Sequence, residues 1–511
     1  MKPFVDNILR HLKQAPMLCA LCPLIVGIVV AEWTGIGVGY AAVALLLFIL
    51  LTLWRGGDGW LMGAIIAAGA LSVALRSTPA LPSQGEMEIE VGRIVREDAD
   101  VSIAEARIVA YMADGKVHRS RADVRLHASG VAIEQGDRLR AIASIRRYTD
   151  ENDYTRYMAA QGIVAQVFIS HENILLHSHS EPSLIARLQH YALQRIQALH
   201  LTPDAERLTR TAGIGDRSSL SSDMRRAYTL SGGAHLLSVS GLHVGFICIV
   251  LNVLFALLTL LRGGQVVRSV LVVGAIWLYA AMAGFSPSVV RAATMFSIVQ
   301  IATTLYSSSR GLNTLAFTAF VMLTVDARTI HDAGFLLSFL SVAAILVWVA
   351  PYARARRRLL PSHSLWRDVV QRMAFRLLMA IEVSIAATAM TLPLASSLFG
   401  TITLWGILLS PILVPLCGVL VGVTILWVVL PIAPLQTLVG WILEHTATTM
   451  NSLSEWAAQS GYLTAEVGIS QGWCYAIYGV FLLLTLVLWA LPAPREKIVF
   501  DFAVRNEPQG E

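Results

Sequence analysis

The sequence predicts a polytopic α-helical membrane protein of about ten or eleven transmembrane or re-entrant helices, carrying one small β-rich domain. Three observations support that class. The 511 residues are 55% hydrophobic and only 14% charged, with a mean hydropathy of +0.62, far from the composition of a soluble enzyme. Apolar runs of roughly 17 to 25 residues recur, the length that a hydrocarbon layer about 30 Å thick demands of a helix. Between residues 86 and 180 the pattern changes abruptly to alternating, charged sequence broken by Gly115, Gly130 and Gly136.

Residues 1–80 read as an N-terminal three-helix membrane anchor. Lys2, Arg10 and Lys13 precede apolar spans near 17–31, 37–53 and 59–75, with Arg55 between the second and third. Basic residues mark the cytoplasmic side, so the N-terminus is expected in the cytoplasm and the third span leaves on the far side. No small-residue cleavage site follows the first span, which therefore reads as an anchor and not a removable signal peptide. Cys19, Cys22, Cys248, Cys417 and Cys474 sit almost entirely in apolar segments. They read as packing residues rather than redox or zinc pairs, and no disulfide framework is expected.

Residues 86–180 are then expected to form an extracytoplasmic β-domain. Apolar and polar side chains alternate in Glu88-Ile89-Glu90-Val91 and over 121–126 and 138–145, the pattern of half-buried antiparallel strands. Fifteen acidic and twelve basic residues give this stretch a balance of −3, which excludes a simple electrostatic clamp on nucleic acid. A nucleic-acid contact would need a local patch such as Arg119, Arg121 and Arg125, and a solvated strand face explains the same arginines. Residues 181–234 supply an amphipathic helix and a polar approach to the next span. Leu184, Leu188, Ala192, Ile196 and Leu199 fit a helix lying at the interface or one packing on a core.

The remaining core, 235–490, holds spans near 235–261, 267–284, 288–307, 312–326, 334–350, 377–394 and 472–490. Seven arginines against one acid over 351–376 make the strongest cytoplasmic marker in the chain, and the parity of the preceding spans agrees with it. Pro411 and Pro415 leave 402–431 either one kinked helix or two half-helices. Residues 491–511 are a short tail expected in the cytoplasm.

Three polar constellations interrupt this apolar core. The first runs from Thr211 into the span at His235. Treated as one helix at about 100° per residue, it places Ser238, Gly241 and Gly245 on a packing side and His235, Ser240 and His243 on a wet side. The second is Gly284-Phe285-Ser286-Pro287-Ser288, followed by Arg291, Thr294, Ser297, Gln300 and Thr303. A stripe at intervals of three winds around a helix, so it faces either several neighbours or a curved aqueous path. Arg291 is a functional candidate because a charge in an apolar span costs a few kcal/mol unless paired or hydrated, or it snorkels from its position near Pro287. The third is His331-Asp332-Ala333-Gly334, leading to Ser338. Gly334 and Ser338 suit close helix contact, while Asp332 either pairs with Arg291 or caps its own helix.

Catalytic readings of the same residues have weaker support. His235, His243, His331 and Asp332 lack tight metal-ligand spacing, and Ser238-Val239-Ser240-Gly241-Leu242 lacks the first glycine of a nucleophile elbow. No catalytic residue, metal or cofactor is expected. No phosphate-binding loop of the form G-x-x-x-x-G-K-[ST] is present, so any process here that needs nucleotide energy would draw it from a partner.

Gly215-Asp216-Arg217-Ser218 and the run from His235 to Gly245 together resemble the signature of the ComEC-type competence channels. Gly284-Phe285-Ser286-Pro287-Ser288, Arg291-Ala292, Gly334-Phe335-Leu336-Leu337-Ser338-Phe339 and Leu392-Pro393-Leu394 with Phe399-Gly400 are similar to its later blocks. Asp153-Tyr154-Thr155-Arg156-Tyr157 and Gln161-Gly162-Ile163 resemble the end of the family's OB-like extracytoplasmic domain. The resemblance spans roughly residues 20 to 490. It implies import of single-stranded DNA across a bacterial inner membrane during natural transformation, alongside a DNA receptor, a separate nuclease, a cytoplasmic motor or single-strand-binding protein, and membrane lipid. On that implication His235, Ser240, His243, Ser288, Arg291 and Asp332 line the DNA path.

Many family members continue into a metallo-β-lactamase-like domain bearing His-x-His-x-Asp-His. Here His177-Ser178-His179 is followed by Ser180 and Glu181, so either the nuclease is expected from another chain or the protein accepts single strands already made. Ser410 also stands where the family often has Asn. The competing class is an intramembrane metal- or serine-dependent enzyme, or a small-solute transporter, built on the same polar cluster.

Overall fold

Three apolar helices open the chain: α1 (Pro16–Thr34), α2 (Val38–Arg55) and α3 (Asp58–Ala74). In the computed structural model, the residues described are 13, 15–75, 81–97, 101–113, 115–148, 155, 158, 162–178, 184–304, 311–350 and 365–490, apart from Ser219, Ser238, Thr401, Pro431, Gly461 and Glu466. Most of the basic N-terminus, Asp153-Tyr154 with Arg156-Tyr157, residues 351–364 and residues 491–511 lie outside them. Small residues let α1 and α3 meet backbone to backbone. A Cβ on Gly27 would stand 2.0 Å from the Ile66 carbonyl oxygen, and one on Gly69 would stand 2.5 Å from that of Leu24.

Six strands follow: β1 (Gln84–Glu97), β2 (Val101–Ala113), β3 (Lys116–Ser129), β4 (Arg138–Arg147), β5 (Ile163–Ser170) and β6 (Ile174–Ser178). The sheet order is β1-β2-β3-β5-β4-β6, and β4 also pairs with β1, so five strands close into a barrel. All pairings in it are antiparallel except β3 with β5. Strict alternation in β4 points Leu139, Ala141, Ala143 and Ile145 inward. They pack against Ile89, Leu126 and Val167, which is why the sequence alternates there.

The helical core follows as α4 (Leu184–Gln197), α5 (Pro203–Ile214), α6 (Ser222–Leu230), α7 (Ala234–Leu237), α8 (Gly241–Leu254), α9 (Gly264–Met282), α10 (Pro287–Thr304), α11 (Gly311–Val325), α12 (Ala333–Ala344), α13 (Leu365–Phe399), α14 (Trp405–Val429), α15 (Gln436–Ser460) and α16 (Gln471–Ala490). Among the described residues, α1, α2, α9, most of α13, α14 and α16 are long and apolar enough to cross a membrane. Helices α3, α8, α11 and α12 with its π-helical extension to Val349 are apolar but shorter. The protein is therefore a mostly helical membrane protein with a separate β-sheet domain.

Tyr228, Leu236, Ile247, Ile276, Cys417 and Met450 form the centre of one apolar core shared by α6 to α9, α14 and α15. Helix α4 packs on this bundle through Ala192 and Ile196, and the Trp427 indole donates to the Arg195 carbonyl at 2.8 Å. The prolines inside 402–431 leave α14 as one helix of 25 residues. Cys19 and Cys22, expected as packing residues, lie exposed on α1, whereas Cys248, Cys417 and Cys474 are buried.

The single helix expected from His235 onward is broken. Helix α7 ends at Leu237, Val239 and Ser240 are non-helical, and α8 starts at Gly241. Ser240 sits in extended backbone, with φ −120° and ψ 175°, as the N-cap of α8. A capping serine ends one helical phase and starts another, so the wheel that groups His235 with His243 does not carry across the break.

A candidate polar conduit in the helical core

Helices α8, α10, α11, α12, α13 and α14 surround a cavity of about 1870 Å³ that extends to the outer faces of β1, β2 and β3. That exceeds the roughly 300–1,000 Å³ of small-molecule pockets. Its helical wall is rich in hydroxyls: Ser240 and Ser288 near the α8 and α10 starts, Ser338 and Ser341 on α12, Ser384 and Thr391 on α13. Short hydroxyl side chains satisfy themselves on the backbone of their own helix, as Thr391 does by donating to Ala387 O at 2.8 Å.

Of the residues expected to line a path, His235, Ser240, Ser288, Arg291 and Asp332 are on this wall. Each is positioned by local sequence. Gly284 and Phe285 both take positive φ, +72° and +49°, to turn the chain between α9 and α10. Pro287 then occupies the first position of α10, where its missing N–H costs nothing. Ser288 Oγ donates to Val239 O at 2.7 Å, tying that start to the break before α8. His235 keeps Nδ1 3.1 Å from Gly232 O.

Arg291 and Asp332 face each other across α10 and α12. Arg291 is only 4% exposed; its Nη2 donates to Gly334 O at 2.7 Å, and its Nη1 lies 3.9 Å from Asp332 Oδ1. Asp332 also caps α12, accepting from the Phe335 N–H at 2.5 Å. Both readings offered for Asp332 are thus realised in one side chain. Arg291 does not snorkel.

His243 does not reach the cavity. It is fully buried, with Nδ1 accepting from the Ser240 N–H at 3.2 Å and lying 3.0 Å from Ser240 Oγ, while Nε2 lies 3.4 Å from Cys417 Sγ on α14. Its ring lies in the contact between α8 and α14. Gly241 and Gly245 face α10: a Cβ on them would stand 3.6 Å from Ala292 Cβ and 3.0 Å from Phe296 Cζ. Gly334 and Ser338 line the cavity, and Ser238 lies outside the described residues.

Sequence reasoning missed Thr318, Ser384, Thr388 and Thr391, which complete the wall from α11 and α13. Isolated hydroxyls in apolar helices have no pattern of their own; only the neighbouring helices reveal a shared face. Conversely, the stripe beyond Arg291 turns to its neighbours. Ser297 accepts from the Trp277 indole, and Gln300 exchanges hydrogen bonds with Asn252 and donates to Ser269.

The Gly215-Asp216-Arg217-Ser218 motif builds a junction. Gly215 ends α5 in left-handed backbone at φ +79°. Asp216 Oδ2 accepts from Arg210 at 2.6 and 3.0 Å, and its Oδ1 accepts from the N–H and hydroxyl of Ser218. Burial pushes this carboxyl up, but those hydrogen bonds and the Arg210 charge together hold it below the ordinary carboxylate range. His177 lies 2.8 Å from buried Asp137, joining β6 to the start of β4. Among the described residues, no three His, Cys, Asp or Glu side chains converge as metal ligands.

The Competence protein family model matches residues 213–492, which takes in α6 to α16 and every cavity-lining residue expected from the sequence. ComE operon protein 3 of Bacillus subtilis (strain 168) is 31% identical over 139 residues, a match covering 27% of this chain and 18% of that protein. No solved structure matches the chain. With more than half its length matched by the family's model, the chain belongs to the competence protein family.

Proposed function

We propose that the protein conducts single-stranded DNA across a bacterial inner membrane during natural transformation, as a channel and not an enzyme. The observation that carries this reading is the large cavity whose partly apolar wall carries Arg291, Asp332 and serine and threonine hydroxyls from several helices, in a competence-family chain. A strand with one charge per nucleotide cannot cross hydrocarbon, so a polar path through protein is required. On this reading the β-barrel is extracytoplasmic and OB-like, which its order β1-β2-β3-β5-β4 closing on β1 supports. It stands at the cavity's outer mouth, where Arg107, Asp123 and Arg125 contribute to the lining. A DNA receptor, a nuclease and a cytoplasmic motor or single-strand-binding protein are the partners this role needs. Uptake of labelled DNA by a deletion strain carrying Arg291→Ala or Ser338→Leu tests it: both variants should lower uptake at least about tenfold at normal protein levels, the first by losing a buried charged contact and the second by putting a bulky apolar side chain into the wall. Wild-type uptake in both would overturn the reading.

One observation favours a second reading. The 3.0 Å separation of Ser240 Oγ from His243 Nδ1 is that of a nucleophile and its base. Nε2, however, meets the Cys417 thiol where a triad has a carboxylate, and Nδ1 already accepts from the Ser240 N–H, the geometry of a helix cap. Covalent labelling of Ser240 by a fluorophosphonate probe would reverse this preference.

A further inference from the structure

We infer that Arg291 and the N-terminus of α12 form an oxyanion seat in which Asp332 is an internal counter-ion, displaced when a backbone phosphate arrives. This rests on the reading above that the cavity carries the strand. The guanidinium makes one hydrogen bond, and its Cζ stands 5.8 Å from the centroid of the Phe335 ring on α12. Nη2 donates to Gly334 O at 2.7 Å, whereas Nε and Nη1 are buried from solvent and have no hydrogen-bond partner. Asp332 does not fill that gap. Its Oδ1 stops 3.9 Å from Nη1, beyond hydrogen-bond range, because the same oxygen is held at 2.5 Å by the Phe335 N–H.

A buried guanidinium with two idle donor nitrogens is costly, and the carboxylate tethered to α12 cannot satisfy both. A phosphodiester can. Its two free oxygens match the guanidinium fork, and the start of a 12-residue helix adds positive potential beside it. Arg291, Asp332, Ser288 and Ser338 all line the one cavity through which such a group would come. Because Asp332 stays attached, it competes for the seat at high effective concentration. Each phosphate is thus bound and then released, as conduction requires.

The test uses the full chain in lipid nanodiscs with three probes: inorganic phosphate, a twelve-residue oligothymidylate, and the same oligomer with an uncharged methylphosphonate backbone. Arg291→Gln should weaken the charged oligomer about tenfold or more, in line with loss of a charge-assisted pair. Asp332→Asn, which keeps a good helix cap, should tighten both phosphate and the charged oligomer several-fold. The uncharged oligomer should bind wild type and Arg291→Gln alike. Weaker phosphate binding by Asp332→Asn, or no phosphate binding by either wild type or this variant, would overturn the seat. Should Arg291→Gln fail to fold, the Asp332→Asn result decides alone. Phosphate binding with the expected Asp332 effect but no oligomer binding would keep the seat and defeat the strand reading. Oligomer binding indifferent to both variants would do the reverse.

Discussion

At Asp216 one residue sets a pH dependence. Its folded carboxyl is held below its ordinary value by Ser218 and Arg210, so it contributes stability that is fully present above the unfolded value of about 3.9 and lost as pH falls through the folded one. Thermal unfolding of detergent-solubilised protein should show Asp216→Asn less stable than wild type at pH 7, with the gap closing in acid. A constant gap would mean that the substitution acts through packing. His243 makes a contrasting case. Bound to Ser240 and facing Cys417, it positions α8 against α14, so His243→Ala should destabilise the protein by about 2 kcal/mol or more through a cavity and unpaired groups. Its effect on uptake should track the amount of folded protein, unlike that of Arg291→Ala. Both motifs were legible in the sequence, but the roles were not: Asp216 meets Arg210 only once Gly215 has turned the chain at the end of α5, and the break at Val239-Ser240 resets the helical phase between His235 and His243.

At the scale of elements, close approach of backbones organises the membrane helices. Gly27 on α1 has no room for a methyl group against Ile66 of α3, whereas nothing lies within 4 Å of a Cβ on Gly39 of α2. Gly27→Ala should therefore lower stability by roughly 1–3 kcal/mol as an overpacked contact does, while Gly39→Ala should be neutral or slightly stabilising through helix propensity. Melting both variants in the same detergent checks the contrast. The strands were legible for a related reason: alternation in 138–145 is the direct imprint of a barrel with a wet outside and a dry inside. Prolines were less readable. Pro411 and Pro415 fit either one helix or two, and in the structure α14 is continuous through both.

For the whole molecule, the cavity gathers residues separated by more than 150 positions, from Ser240 just before α8 to Thr391 on α13. In a background lacking native cysteines, Ser338→Cys and Thr391→Cys should react with a charged thiosulfonate reagent and be protected by single-stranded DNA. Ser297→Cys, buried where α10 meets Trp277 of α9, should not react. Equal labelling at all three positions would mean that the cavity does not separate a wet wall from a packed one. By itself the sequence determined the membrane class, the inserted β-domain and the identity of the polar constellations, because hydropathy, alternation and local motifs are properties of short stretches. Only the tertiary structure decided that Arg291 meets Asp332, that His243 leaves the wet face, and that hydroxyls on α11 and α13 join the wall. A shared face between helices is a long-range arrangement, and no single stretch of chain encodes its own neighbours.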